Sequence, residues 1–362
     1  MNPQRPFASL DLPLIGTTVA LIAVGVLSIA SATFGSGQSG LWKMQLLWLM
    51  VALIAALVIV LVDYRVWAEV ALAMHGVVIA LLVAVLFFGR EVGGNRSWLD
   101  FGPMRLQPSE LAKWTTCLVL AVYLARRVRG GMGLRQLVEI GLLVGAPVGL
   151  ISLQPDMGTA LTFIPILMVG LLIGGIRWRV MFGLAIVAML MTPIAWTQLR
   201  PYQKERILTV FDAERDPHRI GYQVRQSKIA IGSGQIVGSG PFNGTQSQLN
   251  FLPAQHTDFV LSVFAEEWGF VGASAVLGLF YYLFYRCILA ARSAQDRLGT
   301  YVCLLVVAWI TGQMVINIGM VLGRLPTIGV PLPLVSYGGS ALIAALSGIA
   351  LVVNVRSRRF VN

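Results

Sequence analysis

Charged side chains are scarce in this sequence. Asp, Glu, Lys and Arg make up 12% of the 362 residues, whereas a soluble globular protein carries roughly 25%. Hydrophobic residues reach 57%, and the mean hydropathy is +0.77. This balance excludes a soluble globular protein and predicts an integral membrane protein.

Cysteine and histidine are also rare, with three residues of each. The cysteines, Cys117, Cys287 and Cys303, fall in or beside apolar runs, so we expect neither a disulfide framework nor a metal site with the usual spacing. The sequence contains no HExxH motif, no Ser-His-Asp order and no nucleotide-binding fingerprint. These absences argue against metalloproteases, serine hydrolases and nucleotide-dependent enzymes.

Long apolar runs are abundant. A helix needs about 20 residues to cross a hydrocarbon core ~30 Å thick, and unbroken apolar runs do not fit the alternating pattern of a membrane barrel. Ten suitable runs occur, near residues 13–33, 42–62, 66–88, 109–125, 136–153, 158–175, 178–199, 259–285, 300–322 and 334–355. The sequence therefore predicts an all-α integral membrane fold, a polytopic bundle of ten transmembrane helices, with residues 1–362 forming a single membrane domain.

Basic residues are unevenly divided between the two sets of loops. Of the 27 Lys and Arg residues, 14 lie on the side that carries both termini, 6 lie in the short loops opposite, and 7 lie in the long loop 200–257. Lys and Arg accumulate in short cytoplasmic loops, which predicts cytoplasmic termini and an extracytoplasmic loop 200–257 between helices seven and eight. The net charge of +11 therefore reflects topology, and we expect no nucleic-acid partner.

One carboxylate lies where the long polar loop meets the eighth apolar run. Asp258 follows QLNFLPAQHT and precedes FVLSVFA, a costly place for a charge. Two interpretations fit the residues equally well. Asp258 is either a helix cap that accepts backbone N–H bonds or a general base whose pKa is raised by burial.

Further charged residues lie on the same predicted face. Glu110 and Lys113 are spaced i,i+3 in QPSELAKW, so they can pair either as a structural ion pair or as part of a substrate site. Asp156 follows Pro155 at the start of the sixth helix, which suits an ordinary helix cap.

Two adjacent carboxylates lie deeper in the eighth helix. Glu266 and Glu267 are two turns beyond Asp258, and helical geometry directs them to other faces. We therefore expect no acid and base pair with Asp258. They are either carboxylates hydrogen-bonded inside the bundle or the lining of a polar path.

Four motifs resemble those of the SEDS (shape, elongation, division and sporulation) family, bacterial membrane glycosyltransferases that polymerise lipid II into peptidoglycan. The motifs are GNRSWLDFGPMRLQPSELAK, LQPDMGT, QLNFLPAQHTDF with the acidic pair after it, and GVPLPLVSYGGS. The resemblance covers nearly the whole chain. Within the family these motifs are most similar to those of the elongation member.

The resemblance implies roles for individual residues. Asp258 matches the aspartate held essential for glycosyl transfer, and Arg96, Glu110 and Lys113 match important positions of the first outer loop. Asp156 also lies in a family motif. Arg96 is the candidate diphosphate ligand, since a guanidinium suits phosphate oxygens. Two cations of the long loop, Arg200 and Lys204, are further candidates for attracting the diphosphate. Glu266 and Glu267 are further candidates for supporting the site.

The resemblance also implies substrates and partners. The donor is the growing glycan on undecaprenyl diphosphate, the acceptor is lipid II, and the site is the outer face of the bacterial inner membrane. The partners are a class B penicillin-binding protein, which is a transpeptidase, and the elongation machinery. No tightly bound cofactor is expected, although the diphosphate invites a divalent cation, Mg²⁺ or Mn²⁺.

Other classes of function compete with the transferase. A lipid II flippase or a proton-coupled transporter would use the acidic pair with Gln313 and Asn317 as a polar relay. The sequence shows no pair of broken helices repeated in two halves, which argues against a carrier. A scaffold that only recruits the cell-wall machinery is the third possibility.

Overall fold

The computed structural model describes residues 10–34, 40–92, 95–102, 104–127, 132–212 and 220–359. Helices dominate these residues, and a small three-stranded sheet interrupts them. In chain order the elements are α1 (Leu12–Ala32), α2 (Leu41–Leu61), α3 (Tyr64–Phe88), β1 (Arg90–Val92), β2 (Asn95–Phe101), β3 (Met104–Leu106), α4 (Pro108–Arg127), α5 (Leu134–Leu153), α6 (Met157–Leu161), α7 (Phe163–Ile173), α8 (Trp178–Gln198), α9 (Pro201–Phe211), α10 (Ile220–Ser233), α11 (Thr245–Gln248), α12 (Val260–Arg292), α13 (Arg297–Val321) and α14 (Gly339–Ser357).

All ten predicted apolar runs form helices, which confirms the all-α polytopic fold. Within the described ranges, eight helices are long and apolar enough to cross a membrane on their own: α1, α2, α3, α5, α8, α12, α13 and α14. Of the two remaining runs, residues 109–125 form α4, which is less apolar because it contains Glu110 and Lys113. The other remaining run, residues 158–175, is divided between α6 and α7, which Thr162 separates.

The core is centred on α14, most of whose residues are buried against α2, α4, α12 and α13. Small residues allow close approach, as is usual between membrane helices. A Cβ atom built on Gly339 would lie 2.1 Å from the Trp48 ring. By contrast, α8 has no fully buried residue among the described part of the chain, so most of its surface there is available to lipid.

The start of α1 and the end of α14 lie at the same end of the bundle. Asp11 caps α1, and its carboxylate pairs with Arg286 at 2.6 Å and with Arg356 at 3.5 Å. Asn354 donates to the Ile59 carbonyl at 2.5 Å, which adds the turn between α2 and α3 to the same end. This even-numbered arrangement is the one that the apolar runs predicted.

The small sheet lies at the opposite end, between α3 and α4, and the sequence analysis did not predict it. β2 pairs antiparallel with both β1 and β3. Asp100 joins the outer strands through Arg90 at 2.8 Å and Arg105 at 3.3 Å. These strands are too short and too polar to give a strong alternating pattern.

Helix α12 is broken at Gly269, where the sequence analysis predicted one continuous helix. Gly269 has φ 64° and ψ −163°, a conformation that is essentially restricted to glycine. The break stays hydrogen-bonded because the Gln235 and Ile236 carbonyls accept from the Phe270 and Val271 amides at 2.9 and 3.1 Å. Val260–Trp268 thus form a short half-helix, which is buried as far as Glu267 and exposes Trp268.

Gly269→Ala is expected to destabilise the protein by more than about 2 kcal/mol, since the backbone conformation is strained for any L side chain. A Cβ atom there would also lie 2.4 Å from the Gly238 nitrogen. Thermal unfolding in detergent measures the loss. Gly16→Ala is the control, because a Cβ at Gly16 meets no described atom within 4 Å. Equal melting temperatures for the two variants would contradict this account of the break.

Candidate active site

Asp258 lies in a turn immediately before the buried half of α12. The Ala254 carbonyl accepts from the Thr257 and Asp258 amides, both at 3.1 Å. The N-cap residue of α12 is Phe259, which makes no side-chain capping hydrogen bond. The cap interpretation of Asp258 is therefore wrong, because the turn places Asp258 one residue too early.

Two other segments of the chain contact Asp258, one at its backbone carbonyl and one at its carboxyl. Asn317 donates from Nδ2 to the Asp258 carbonyl at 2.9 Å and to the Val330 carbonyl at 2.7 Å. A Cβ atom on Gly329 would lie 3.5 Å from Asp258 Oδ2. The stretch of chain before α14 thus packs directly onto the carboxyl.

The electrostatic surroundings of Asp258 suit a base. Burial raises the pKa of Asp258 to about 6, Arg206 opposes that rise, Asp156 adds to it, and a hydrogen bond from Thr257 lowers it. A carboxylate with this pKa is ionised at neutral pH and is a stronger base than a solvated aspartate.

Arg206, on α9, is the cation that acts on Asp258, and the sequence analysis missed it. Its guanidinium lies 5.7 Å from the ring centroid of Tyr202, and Tyr202 donates to the Pro155 carbonyl at 3.4 Å. The i,i+4 spacing of Tyr202 and Arg206 was the available signal. Two predicted cations lie elsewhere on this helix: Arg200 is exposed at its start and Lys204 is partly buried.

Glu110 and Lys113 form a buried ion pair on α4. Lys113 Nζ lies 2.6 Å from Glu110 Oε1 and 2.9 Å from Gln313 Oε1. The side chains of Lys113 and Glu110 are only 1% and 3% exposed. Trp309 adds its ring 5.6 Å from Lys113 Nζ and donates to Gln313 at 3.0 Å. The pair is thus fully enclosed by protein.

One face of α13 connects this pair with Asp258. Gln313 donates to the Pro331 carbonyl at 2.9 Å, next to the Val330 carbonyl that Asn317 holds. Gln313 and Asn317, which a transporter would use as a relay, here fix the non-helical chain beside Asp258. The polar chain runs from Lys113 through Gln313 and residues 329–331 to Asp258.

Asp156 is the N-cap of α6, as its position after Pro155 predicted. It accepts from the Thr159 amide at 3.1 Å and from Gln107 Nε2 at 2.9 Å. Burial raises the pKa of Asp156, Glu110 raises it further, and Lys113 lowers it. Asp156 is therefore electrostatically coupled to both the ion pair and Asp258.

His256 ties the Asp258 turn to the chain before α14. The Tyr337 amide donates to the His256 carbonyl at 2.9 Å, and the two rings meet edge to face with centroids 5.7 Å apart. Burial lowers the pKa of His256, so the ring is neutral at pH 7.

The remaining predicted residues lie apart from this cluster. Arg96 is exposed on β2, and its guanidinium donates to the Gly89 carbonyl at 2.8 Å at the end of α3. Glu266 and Glu267 lie at the far end of the half-helix that Asp258 precedes. The structure therefore links Glu110, Lys113, Asp156 and Asp258, whereas Arg96, Glu266 and Glu267 make their contacts elsewhere.

An apolar groove of about 660 Å³ lies beside the cluster. It runs between α7, α13 and the chain that follows α13, and its lining includes Leu161, Ile164, Val315, Leu325 and Ile328. Ile328 is adjacent to Gly329, which packs against Asp258. A long hydrocarbon chain in the groove would therefore reach the carboxylate.

The family model described as "Cell cycle protein" (FTSW_RODA_SPOVE) matches residues 11–360. The chain belongs to this family. Among its relatives, the peptidoglycan glycosyltransferase MrdB of Escherichia coli K12 is 38% identical over 354 residues, which are 97% of this chain and 94% of MrdB. The peptidoglycan glycosyltransferase RodA of Treponema pallidum is 29% identical, over 98% of this chain and 99% of RodA.

Solved structures of FTSW_RODA_SPOVE proteins show the same fold. A chain of a peptidoglycan synthase complex, described as coordinating polymerization and crosslinking, has a TM-score of 0.84 and 34% identity, covering 98% of this chain and all of that one. The rod shape determining protein RodA of Thermus thermophilus has a TM-score of 0.74 and 30% identity, covering 99% of this chain and all of RodA. The family resemblance expected from the four motifs is confirmed.

Proposed function

We propose that this peptidoglycan glycosyltransferase polymerises lipid II at the outer face of a bacterial inner membrane during cell elongation, with Asp258 as the general base. The observation that supports it most is a partly buried carboxylate packed against Gly329, next to a residue that lines an apolar groove. Burial raises the pKa of this carboxylate to about 6, and Arg206 opposes the rise. Purified protein supplied with lipid II should make a glycan polymer.

Asp258 acts on the acceptor. Its carboxylate accepts the proton of the 4-hydroxyl of the lipid II GlcNAc, while that oxygen attacks the anomeric carbon of the growing glycan. The bond from that carbon to the undecaprenyl diphosphate breaks with inversion, and the electron pair leaves on the diphosphate. The proton on Asp258 then passes to solvent, which restores the base.

Cations near Asp258 stabilise the leaving diphosphate. Arg206 is the first candidate for this role, because its charge lowers the pKa of Asp258 and a guanidinium binds phosphate oxygens bidentately. Arg200 and Lys204, on the same helix, add positive charge that attracts the lipid headgroup. Arg96 stays a candidate for a second headgroup contact from the edge of the small sheet. The apolar groove holds the polyprenyl chain.

A divalent cation remains part of the proposal. Among the described residues no group of three His, Cys, Asp or Glu side chains is placed to hold a metal ion. Mg²⁺ often binds through one or two carboxylates and substrate phosphates, so Asp156 and Asp258 would hold it only together with the diphosphate. The ion would neutralise phosphate charge.

The topology follows the distribution of basic residues. The end of the bundle that carries Asp11, Arg286 and Arg356 lies in the cytoplasm with both termini, and loop 200–257 lies outside. Residues 1–362 act as one membrane domain. A class B penicillin-binding protein is the transpeptidase partner within the elongation machinery, which the likeness to a synthase complex supports.

Lipid II transport is the alternative function, and one observation favours it. Two membrane segments are interrupted, at Thr162 between α6 and α7 and at Gly269 within α12. Broken helices are common in transporters, so the sequence-based argument from their absence does not hold. A flippase or proton-coupled carrier would need two compartments to show turnover, whereas a transferase would not.

The rate of polymerisation is expected to fall as the pH falls through about 6, because only ionised Asp258 accepts the proton. Well below that pH, each further unit should cost about tenfold in rate, and above it the rate should level off. Initial rates between pH 4.5 and 8 at saturating lipid II measure this. A rate that stays constant down to pH 5 would contradict the assignment.

A further inference from the structure

The half-helix that follows Asp258 ends in two buried carboxylates which the mechanism above does not use. Glu266 is 1% exposed and Glu267 is 3% exposed. The loop before them closes the helix end, since the Ser239 and Gly240 amides donate to the Glu266 and Glu267 carbonyls, both at 3.0 Å. The backbone of this end is therefore already satisfied without either side chain.

The Glu266 carboxylate is hydrogen-bonded to the loop that leads to Asp258. Its Oε1 accepts from the Gln246 amide at 2.8 Å and from Thr245 Oγ1 at 3.2 Å. A Cβ atom on Gly244 would lie 2.7 Å from Glu266 Oε2, so the loop backbone is pressed onto the carboxylate. Oε2 itself is buried with no hydrogen-bond partner among the described residues. A buried oxygen without a hydrogen-bond partner is costly, and the bonds that Oε1 accepts offset only part of that cost.

The Glu267 carboxylate fixes the same loop through the end of α1. It accepts a hydrogen bond from Ser31 Oγ. The loop reaches the same place from the other side, since Gln248 donates to the Ser31 carbonyl at 3.1 Å and Gln255 donates to the Ala32 carbonyl at 2.6 Å. The half-helix, α1 and the loop therefore meet at Ser31 and Ala32.

The held segment needs external support. Residues 249–259 contain no helix or strand, and Asn250 and Ala254 have φ of 55° and 51°. Left-handed backbone at non-glycine residues costs roughly 1–3 kcal/mol each and persists only where surrounding contacts hold it. Ala254 is the residue whose carbonyl anchors the Asp258 turn.

We propose that Glu266 and Glu267 are positioning residues, a carboxylate latch that holds residues 244–258 against the half-helix and α1 and so fixes the place of Asp258. This inference rests on the proposed function, in which Asp258 is the base. Carboxylates suit the task because they only accept hydrogen bonds, and such charge-assisted bonds are roughly twice as strong as neutral ones. A structural role alone would affect stability and leave the turnover of folded molecules unchanged.

The test compares two replacements of Glu266. Glu266→Leu removes the acceptor, so we expect kcat to fall by about 100-fold while KM for lipid II changes little, as misplaced catalytic groups produce. Glu266→Gln keeps an oxygen acceptor for the Gln246 amide and is expected to restore kcat to within about threefold of wild type. Ser31→Ala removes the hydrogen bond to Glu267 and leaves the Glu266 contacts in place. We expect its kcat to fall by about tenfold.

Hydrogen–deuterium exchange of the folded protein provides a readout without turnover. Exchange over residues 244–258 should rise in Glu266→Leu and stay at the wild-type level in Glu266→Gln. Asp11→Asn is the matched control, because Asp11 is a buried carboxylate at the opposite end of the bundle. It should lower the melting temperature without changing kcat or exchange in 244–258.

Wild-type exchange over 244–258 in Glu266→Leu, or wild-type kcat in that variant, would overturn the latch. A Glu266→Gln variant as slow as Glu266→Leu would also overturn it, since the hydrogen bonds would then not be the cause. Failure of the wild-type protein to make polymer would contradict the proposed function instead, and the exchange data would still decide the latch.

Discussion

Asp258→Asn is expected to reduce polymerisation by about 10²–10⁴-fold, the contribution of a positioned general base. The amide has nearly the shape of the carboxylate but cannot take the acceptor proton at neutral pH. Initial rates of polymer formation at pH 7.5 and saturating lipid II measure the loss. Asp63→Asn is the control, because Asp63 pairs with Arg358 at the opposite end of the bundle.

The same variant is expected to be at least as stable as the wild type. A carboxyl whose pKa is raised from 3.8 to about 6 in the folded protein destabilises the fold as the pH rises between those values, and the penalty persists above them. Asn removes that charge. A near wild-type rate in well-folded Asp258→Asn would contradict the base assignment. A large fall in melting temperature would contradict the electrostatic account.

Lys113→Met is expected to destabilise the protein by roughly 3–5 kcal/mol, because it leaves the Glu110 carboxylate buried without its cation. Glu110→Leu should destabilise the protein by a comparable amount, because it leaves the Lys113 ammonium buried without its carboxylate. The double replacement should recover most of the stability, since exchanging a buried pair for packed apolar groups is often neutral. Melting temperatures of the four proteins in one detergent form the thermodynamic cycle.

The double variant is nevertheless expected to polymerise lipid II at least about 100-fold more slowly than the wild type. Lys113 orients Gln313 at 2.9 Å, and Gln313 holds the Pro331 carbonyl. The same segment places Gly329 against the Asp258 carboxylate, so the carboxylate would be misplaced. Full activity in a stable double variant would show that the pair is only structural.

The sequence was sufficient for the membrane architecture. In a bilayer every backbone amide must be hydrogen-bonded within the protein, so long apolar runs have almost no choice except helix. The break at Gly269 could not be predicted in this way, because a single glycine within a long, largely apolar run does not by itself end a helix, and the backbone at the break is hydrogen-bonded by the carbonyls of Gln235 and Ile236. That support is a tertiary contact.

The candidate site was predictable where a charged residue lies beside an apolar run, because burying a charge costs free energy. Asp258 and the Glu110 and Lys113 pair are charges beside apolar runs, and the cost of burying them singled them out. Arg206 was missed because several cations share its loop, and only the packing of α9 against Pro155 places this one beside Asp258. Arg96 fits phosphate chemistry, but the fold turns it toward the end of α3.

The central claim is tested most directly by supplying the purified protein with lipid II in detergent, without any membrane potential or pH gradient. The assay is run with a divalent cation, with and without a class B penicillin-binding protein, since a partner can shift an enzyme toward its active state. We predict a polymer that a muramidase digests, and none from Asp258→Asn. If no polymer forms with the partner present, while the reconstituted protein moves lipid II across a bilayer, the transferase account is wrong and the protein is a flippase.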